Sequence, residues 1–238
     1  MKRFLFVCAT AIALVVGVQS KAEAAVATQL HICQGATCVD FFGASFVVGA
    51  VVPVGDYLII GALGGTTESA VFSQSQTVTL NVRRVAGTLN PAPLDVWLQA
   101  TGFTLPAGPW TLDTTLGATS SPDNPGAAID YMAWLSQTNA TGFAPVGSTS
   151  TPEISCIPVA PSGPGSCSVS GASVLVSPGS ALYSLTTRTQ FNIGVGDSLI
   201  YGSTGQAVVT SVIPEPMSLM LLGSGLLGMA TARRRLKK

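Results

Sequence analysis

Between residues 25 and 212 apolar and polar positions alternate with a period of two, and turn-forming residues interrupt the alternation at short intervals. Leu94, Val96 and Leu98 fall on one side of an extended chain, with Asp95, Trp97 and Gln99 on the other. Ile129, Tyr131, Ala133 and Leu135 alternate in the same way with Asp130, Met132, Trp134 and Ser136. Tyr183, Leu185, Phe191 and Ile193 share a side with Thr187 and Thr189, opposite Ser184, Thr186, Arg188, Gln190 and Asn192. Val78, Leu80 and Val82 oppose Thr79, Asn81 and Arg83, and Ala44–Val52, Tyr57–Leu63 and Gln206–Ser211 are further strand candidates. Gly and Pro punctuate at Pro53–Gly55, Asn90–Pro93, Pro106–Pro109, Pro122–Gly126 and Pro158–Gly165. No stretch of this body sustains a helical apolar stripe, and no fixed-period repeat is present. The pattern predicts an all-β body, an antiparallel β-sandwich or jelly roll.

Both ends break this pattern. At the start, Lys2-Arg3 precedes the apolar run Phe4–Val18, and Ala22-Glu23-Ala24 has the small-x-small form of a signal-peptidase site. Residues 1–24 therefore read as a signal peptide delivered through the Sec translocon, with a mature chain starting at Ala25. At the other end Pro214-Glu215-Pro216 is followed by the uncharged run Met217–Ala232 and then Arg233-Arg234-Arg235-Leu236-Lys237-Lys238. The prolines fix their own φ and push the preceding residues out of the helical region, so 213–216 is extended. As a helix, Met217–Ala232 would span about 24 Å at roughly 1.5 Å per residue. That is short of a hydrocarbon core of about 30 Å, although flanking basic side chains can snorkel. The arginines should stay cytoplasmic and stop transfer.

This order of parts resembles the PEP-CTERM sorting signal of Gram-negative bacteria: a Pro-Glu-Pro motif (Pro214, Glu215, Pro216), a short transmembrane helix, and an Arg-rich end (Arg233, Arg234, Arg235). The same tail is also filed under an ice-binding-protein C-terminal name, which says nothing of the body. The resemblance implies that an exosortase, a membrane processing enzyme, recognises and cuts the tail. It further implies a bacterium that makes exopolysaccharide, biofilm or flocs. The expected organisation is a signal peptide (1–24), a secreted body (25–212) and a sorting signal (213–238). The precursor is then tethered to the inner membrane before the product reaches the cell surface or the exterior.

Charge narrows the body's partners. Lys is absent between residues 25 and 212, and three arginines against nine acidic residues leave it near −6. Such a surface lacks the basic footprint that nucleic acid requires. The four cysteines of the body, Cys33, Cys38, Cys156 and Cys167, read as two disulfides in an exported chain. Three connectivities are open; local pairing, Cys33 with Cys38 and Cys156 with Cys167, is preferred because each pair brackets a Gly-containing loop. A metal site on His31, Cys33, Cys38 and a distant cysteine is disfavoured by the spacing and the oxidising compartment, and neither metal nor cofactor is expected.

Catalytic chemistry finds little support. His31 is the only histidine, it lies near the mature N-terminus beside Cys33, and no G-x-S-x-G elbow exists. No phosphate loop, dinucleotide fingerprint or EF-hand loop is present. Asp123-Asn124 fits an Asx-turn better than a calcium site, and the Asn139-Ala140-Thr141 sequon reads as accidental in a bacterial chain. The most informative side chains are Trp97 and Trp134. Each sits on the polar side of its strand, where an indole can stack on a sugar ring; the alternative is packing beneath a loop. The leading expectation is a non-enzymatic surface or matrix protein associated with exopolysaccharide. A carbohydrate-binding module or adhesin using Trp97 or Trp134 is the alternative, followed by a glycoside hydrolase with a carboxylate dyad.

Overall fold

The computed structural model describes residues 27–43, 45–68, 72–85, 92–104, 109–120, 127–143, 147–158, 165–177, 182–193, 199–211 and 223–225. The expected signal peptide, Pro214-Glu215-Pro216, Arg233–Arg235 and all of the expected transmembrane helix except a helical turn at 223–225 lie outside these residues. Among the described residues no helix is long and apolar enough to cross a membrane.

The body is built of strands: β1 (Ala27–Gln34), β2 (Thr37–Gly43), β3 (Ser45–Val54), β4 (Tyr57–Glu68), β5 (Phe72–Arg84), β6 (Leu94–Phe103) and β7 (Trp110–Ser120), then β8 (Ala128–Ser136), β9 (Thr149–Ser150), β10 (Ile154–Cys156), β11 (Gly165–Ser170), β12 (Val174–Val176), β13 (Tyr183–Asn192) and β14 (Leu199–Ser211). One sheet has the order β10-β8-β13-β6-β1-β2, with β9 on β8. The other has the order β11-β7-β14-β5-β4-β3, with β12 on β7. Every pairing is antiparallel. From β5 to β8 the chain changes sheet at every connection. The last two strands then insert between the earlier ones, β13 between β6 and β8, and β14 between β5 and β7.

The alternation read from sequence is what joins the sheets. Leu30, Ile32, Leu94, Val96, Leu98, Ile129, Tyr131 and Phe191 of the first sheet share one buried cluster with Tyr57, Ile59, Val82 and Leu116 of the second. A second cluster combines Ala100, Phe103, Leu135, Tyr183 and Leu185 with Trp110, Leu112, Val176, Ala207 and Val209. Trp110 is buried, and its ring lies 5.2 Å from that of Tyr183. It also opens β7, a strand that the sequence pattern does not reveal. Thr111, Asp113 and Thr115 line its outer side, and Thr114 interrupts the inward set of Leu112, Leu116 and Ala118 with a further polar residue.

Two hairpins follow directly from glycine. Gly35 (φ 56°) and Gly55 (φ 57°) occupy the first central position of two-residue turns, the conformation a type II′ hairpin needs. Pro53, expected to belong to a turn, instead pairs with Leu58 inside β3. That strand is a sheet edge, where a missing N–H costs no ladder bond. The disulfides pair locally as expected. Cys33–Cys38 closes the β1–β2 hairpin, and Cys156–Cys167 runs from β10 of the first sheet to β11 of the second, tying the two sheets together at one edge.

Gly205 of β14 sets how closely the sheets meet. A Cβ there would overlap Cε2 of Tyr131, whose ring is fully buried on the opposite sheet and has no room to retreat. Gly205→Ala is therefore expected to lower unfolding stability by about 1–3 kcal/mol, the usual cost of overpacking. Urea unfolding of the two proteins checks this; equal midpoints would contradict it.

Candidate functional site

With one face of the first sheet sealed in the core, its intervening side chains must point outward, and strand register sets them in rows. Asp40, His31, Trp97, Arg188 and Met132 stand directly across from one another on five successive strands. The adjoining row holds Gln29, Gln99, Thr186 and Trp134. On the other side come Cys38, Cys33, Asp95, Gln190 and Asp130. The two tryptophans singled out from the sequence therefore lie on the same face, stacked with ring centroids 5.3 Å apart and planes at 28°.

A loop from the end of β8 folds over part of this face. Gln99 holds it as a strand neighbour would: its Nε2 donates to the Gly142 carbonyl at 2.7 Å, and its Oε1 accepts from the Gly142 N–H at 3.0 Å. Ser184 Oγ donates to the Ala140 carbonyl at 2.8 Å. The Gly102 N–H donates to Asn139 Oδ1 at 2.9 Å, with Asn139 in the left-handed region at φ 52°. The sequon asparagine is thus spent on the fold. The loop delivers Phe143, which carries no signal in the sequence, against His31 (4.4 Å, 16°) and Trp97 (5.6 Å, 51°). Trp97 packs beside the loop, the alternative expected from the sequence, and both it and Trp134 are half-buried.

Around the rings lies an array of planar polar groups. Gln190 Nε2 donates to Asp95 at 2.8 Å, Asn192 Nδ2 to Asp130 at 3.0 Å, and Gln29 Nε2 to Asp40 at 3.1 Å. Arg188 pairs with Glu153 and lies 5.8 Å from the Trp97 ring centroid. The other described carboxylates accept bonds as well: Asp56 from Gln34, Glu68 from Thr104, and Asp113 from Ser173. Asp95 and Asp130 stand two strands apart, about 10 Å at the usual interstrand spacing. Asp123 and Asp197 lie outside the described residues, as does the Asp123-Asn124 pair. Chemically, the face offers π surface edged by donors and acceptors, with a cation over one ring.

At the β1–β2 end, His31 Nδ1 meets Asp40 Oδ1 at 2.7 Å and His31 Nε2 meets Cys33 Sγ at 2.7 Å. The His31 hydrogen bond holds the Asp40 carboxyl below its ordinary value, against a smaller opposing effect of desolvation and with further help from Gln29. The ligand atoms of His31, Cys33 and Cys38 lie within 4.8 Å of one another, but the sulfurs are bonded together and offer no thiolate to a metal. In the sequence His31 looks poorly placed and Asp40 carries no mark. The signal is nonetheless there: a two-residue turn that sets Cys33 opposite Cys38 also sets His31 opposite Asp40.

Residues 212–235 match the family model described as the PEP-CTERM protein-sorting motif, so the chain carries that signal at its C-terminal end. No curated protein matches the chain. Among solved structures it is similar to the adhesin domain of Epf from Streptococcus pyogenes, with TM-score 0.31 and 13% identity over 76% of this chain and 57% of that one. It is also similar to TmCBM27, a carbohydrate-binding module described for specific mannan recognition (TM-score 0.31, 9% identity, 76% and 89% covered). Infectious bursal disease virus, Gx strain, is a third (TM-score 0.33, 10% identity, 84% and 53% covered). The chain thus spans little more than half of the adhesin domain's length. Likenesses this distant carry no argument about function.

Because the Asp40 carboxyl is depressed in the folded state, its contribution to stability is present above the unfolded value of about 3.9 and is lost as pH falls through the folded value. An NMR pH titration should place the Asp40 carboxyl below an ordinary aspartate, and His31→Ala should return it upward. An unmoved midpoint in His31→Ala would contradict the pairing.

Proposed function

We propose that the protein is an exported, non-catalytic component of the cell surface or extracellular matrix that contacts exopolysaccharide through the outer face of its first sheet. The PEP-CTERM signal supports export and exosortase processing. In this reading the Sec translocon and signal peptidase handle residues 1–24. The segment after Pro214-Glu215-Pro216 holds the precursor in the inner membrane, Arg233–Arg235 stay on its cytoplasmic side, and the exosortase then removes the tail. The order in which β13 and β14 insert between β5 and β8 supports a jelly-roll wrap, two interlocked Greek keys.

The observation that carries the glycan reading is the stacked, half-buried pair Trp97 and Trp134 beside hydrogen-bonded Asp95–Gln190 and Asp130–Asn192. A pyranose has one face of weakly positive C–H groups and a rim of hydroxyls. The first matches an indole's negative π face, and the second matches planar amides and carboxylates. The carboxylate spacing also favours binding over hydrolysis. Asp95 and Asp130 stand two strands apart, about 10 Å, beyond the roughly 5–5.5 Å of a retaining pair and the roughly 6.5–9.5 Å of an inverting one.

Two experiments separate the parts of this reading. Replacing Pro214, Glu215 and Pro216 by alanine in a host with an exosortase should leave the tail on the membrane-held product, read as a heavier C-terminus by intact-mass spectrometry; identical masses would remove the sorting role. Independently, Trp97→Ala in the mature protein should weaken exopolysaccharide retention about tenfold or more, roughly 1.4 kcal/mol, by quantitative pull-down. Unchanged retention would take this face out of glycan recognition while leaving sorting intact.

A further inference from the structure

The two disulfides sit in different chemical surroundings. Cys156–Cys167 is an edge staple between sheets, with Cys156 buried. Cys33–Cys38 lies on the outer face of the β1–β2 hairpin, with Cys38 exposed and Cys33 half-buried. Only this second bond has an imidazole against it. His31 Nε2 is 2.7 Å from Cys33 Sγ, and the ring is held from two directions. Asp40 Oδ1 takes Nδ1 at 2.7 Å and is itself fixed by Gln29, while Phe143 stacks on the ring at 4.4 Å. An ionised carboxylate is acceptor-only, so it keeps the proton on Nδ1 and leaves Nε2 facing the sulfur.

We propose that Cys33–Cys38 is a thiol-exchange site, with Cys38 as the sulfur attacked by an incoming thiolate and Cys33 as the leaving group received by His31. The ligand class is a small-molecule or peptide thiol. This site is independent of the sorting signal and lies at the β1–β2 end of the same outer face. The thiolate RS⁻ attacks Cys38 Sγ; the Cys33–Cys38 bond breaks as the RS–S bond to Cys38 forms, and the electron pair leaves on Cys33 Sγ. Charge balances, and one disulfide replaces another with no external oxidant. With His31 as imidazolium, its Nε2–H donates to the Cys33 thiolate, and the adjacent Asp40 charge stabilises the imidazolium. A leaving thiolate so stabilised departs faster. A second RS⁻ attacking the mixed disulfide releases RSSR and leaves Cys38 as a thiolate.

Among the described residues the charged groups facing the pair are few. Asp40 on β2 supports the imidazolium. Asp95 on β6 stands across from Cys33 and would oppose a thiolate there, but Gln190 holds its carboxylate from the β13 side. Arg188 is over Trp97, one row along. His31 is in direct contact with Cys33 Sγ and decides the sign.

The test uses the oxidised mature protein and glutathione, with peptide mass mapping over time. The Cys33–Cys38 bond should open at least tenfold faster than Cys156–Cys167 near neutral pH, with the glutathione adduct on Cys38. His31→Ala should slow that opening about tenfold and leave the Cys156–Cys167 rate unchanged, which controls for folding. Opening of His31→Ala at the wild-type rate, or an adduct on Cys33, would overturn the proposal.

Discussion

A strand whose alternate side chains are sealed in a core has no freedom of register, and that constraint organises everything outside the core of this protein. A one-residue slip of β6 would bring Trp97 inward and expose Leu94, Val96 and Leu98. The same lock acts on β1, β8 and β13, because Ile32, Ile129, Tyr131 and Phe191 are all shared with the second sheet. Outer rows on four adjacent strands are therefore placed to within one pleat by residues that never touch solvent, and the β1–β2 hairpin register carries the pattern on to the fifth. The Gly205–Tyr131 approach and the Cys156–Cys167 bridge hold the second sheet against the first and keep that lock closed.

The outer face uses this rigidity in two ways. Stacked indoles with planar amide and carboxylate neighbours form a surface whose polar groups are already aligned, so little ordering is lost when a ring of hydroxyls docks. At the hairpin end, the same register aligns Asp40, His31 and Cys33 in series, a placement that no local sequence preference would give. The loop anchored by Gln99 serves both, because Phe143 closes one side of Trp97 and the open face of His31.

Much of the fold is legible as alternation. The strands carrying Leu94–Leu98, Ile129–Leu135 and Tyr183–Ile193 can be oriented from sequence because each apolar side is clear. Strand β7 is obscured because its inward set includes Thr114, a polar residue buried between Leu112 and Leu116. Strand β1 is obscured because its polar side carries His31 and Cys33, residues that suggest chemistry or a staple before a strand. The outward direction of Trp97 is readable; its cover is not, since Phe143 reaches it through a loop fixed by long-range bonds to Gln99, Gly102 and Ser184. The Asp40–His31 pair needs one further step, carrying the Cys33–Cys38 register two residues outward along the hairpin.

Hydroxyl-radical footprinting of the mature protein, with and without the exopolysaccharide of the producing cell, tests the role of the outer face most directly. Protection should fall on Trp97, Trp134 and Phe143, with exposed Leu175 on the second sheet reacting equally in both samples. Protection confined to the second sheet, or none at all, would contradict it.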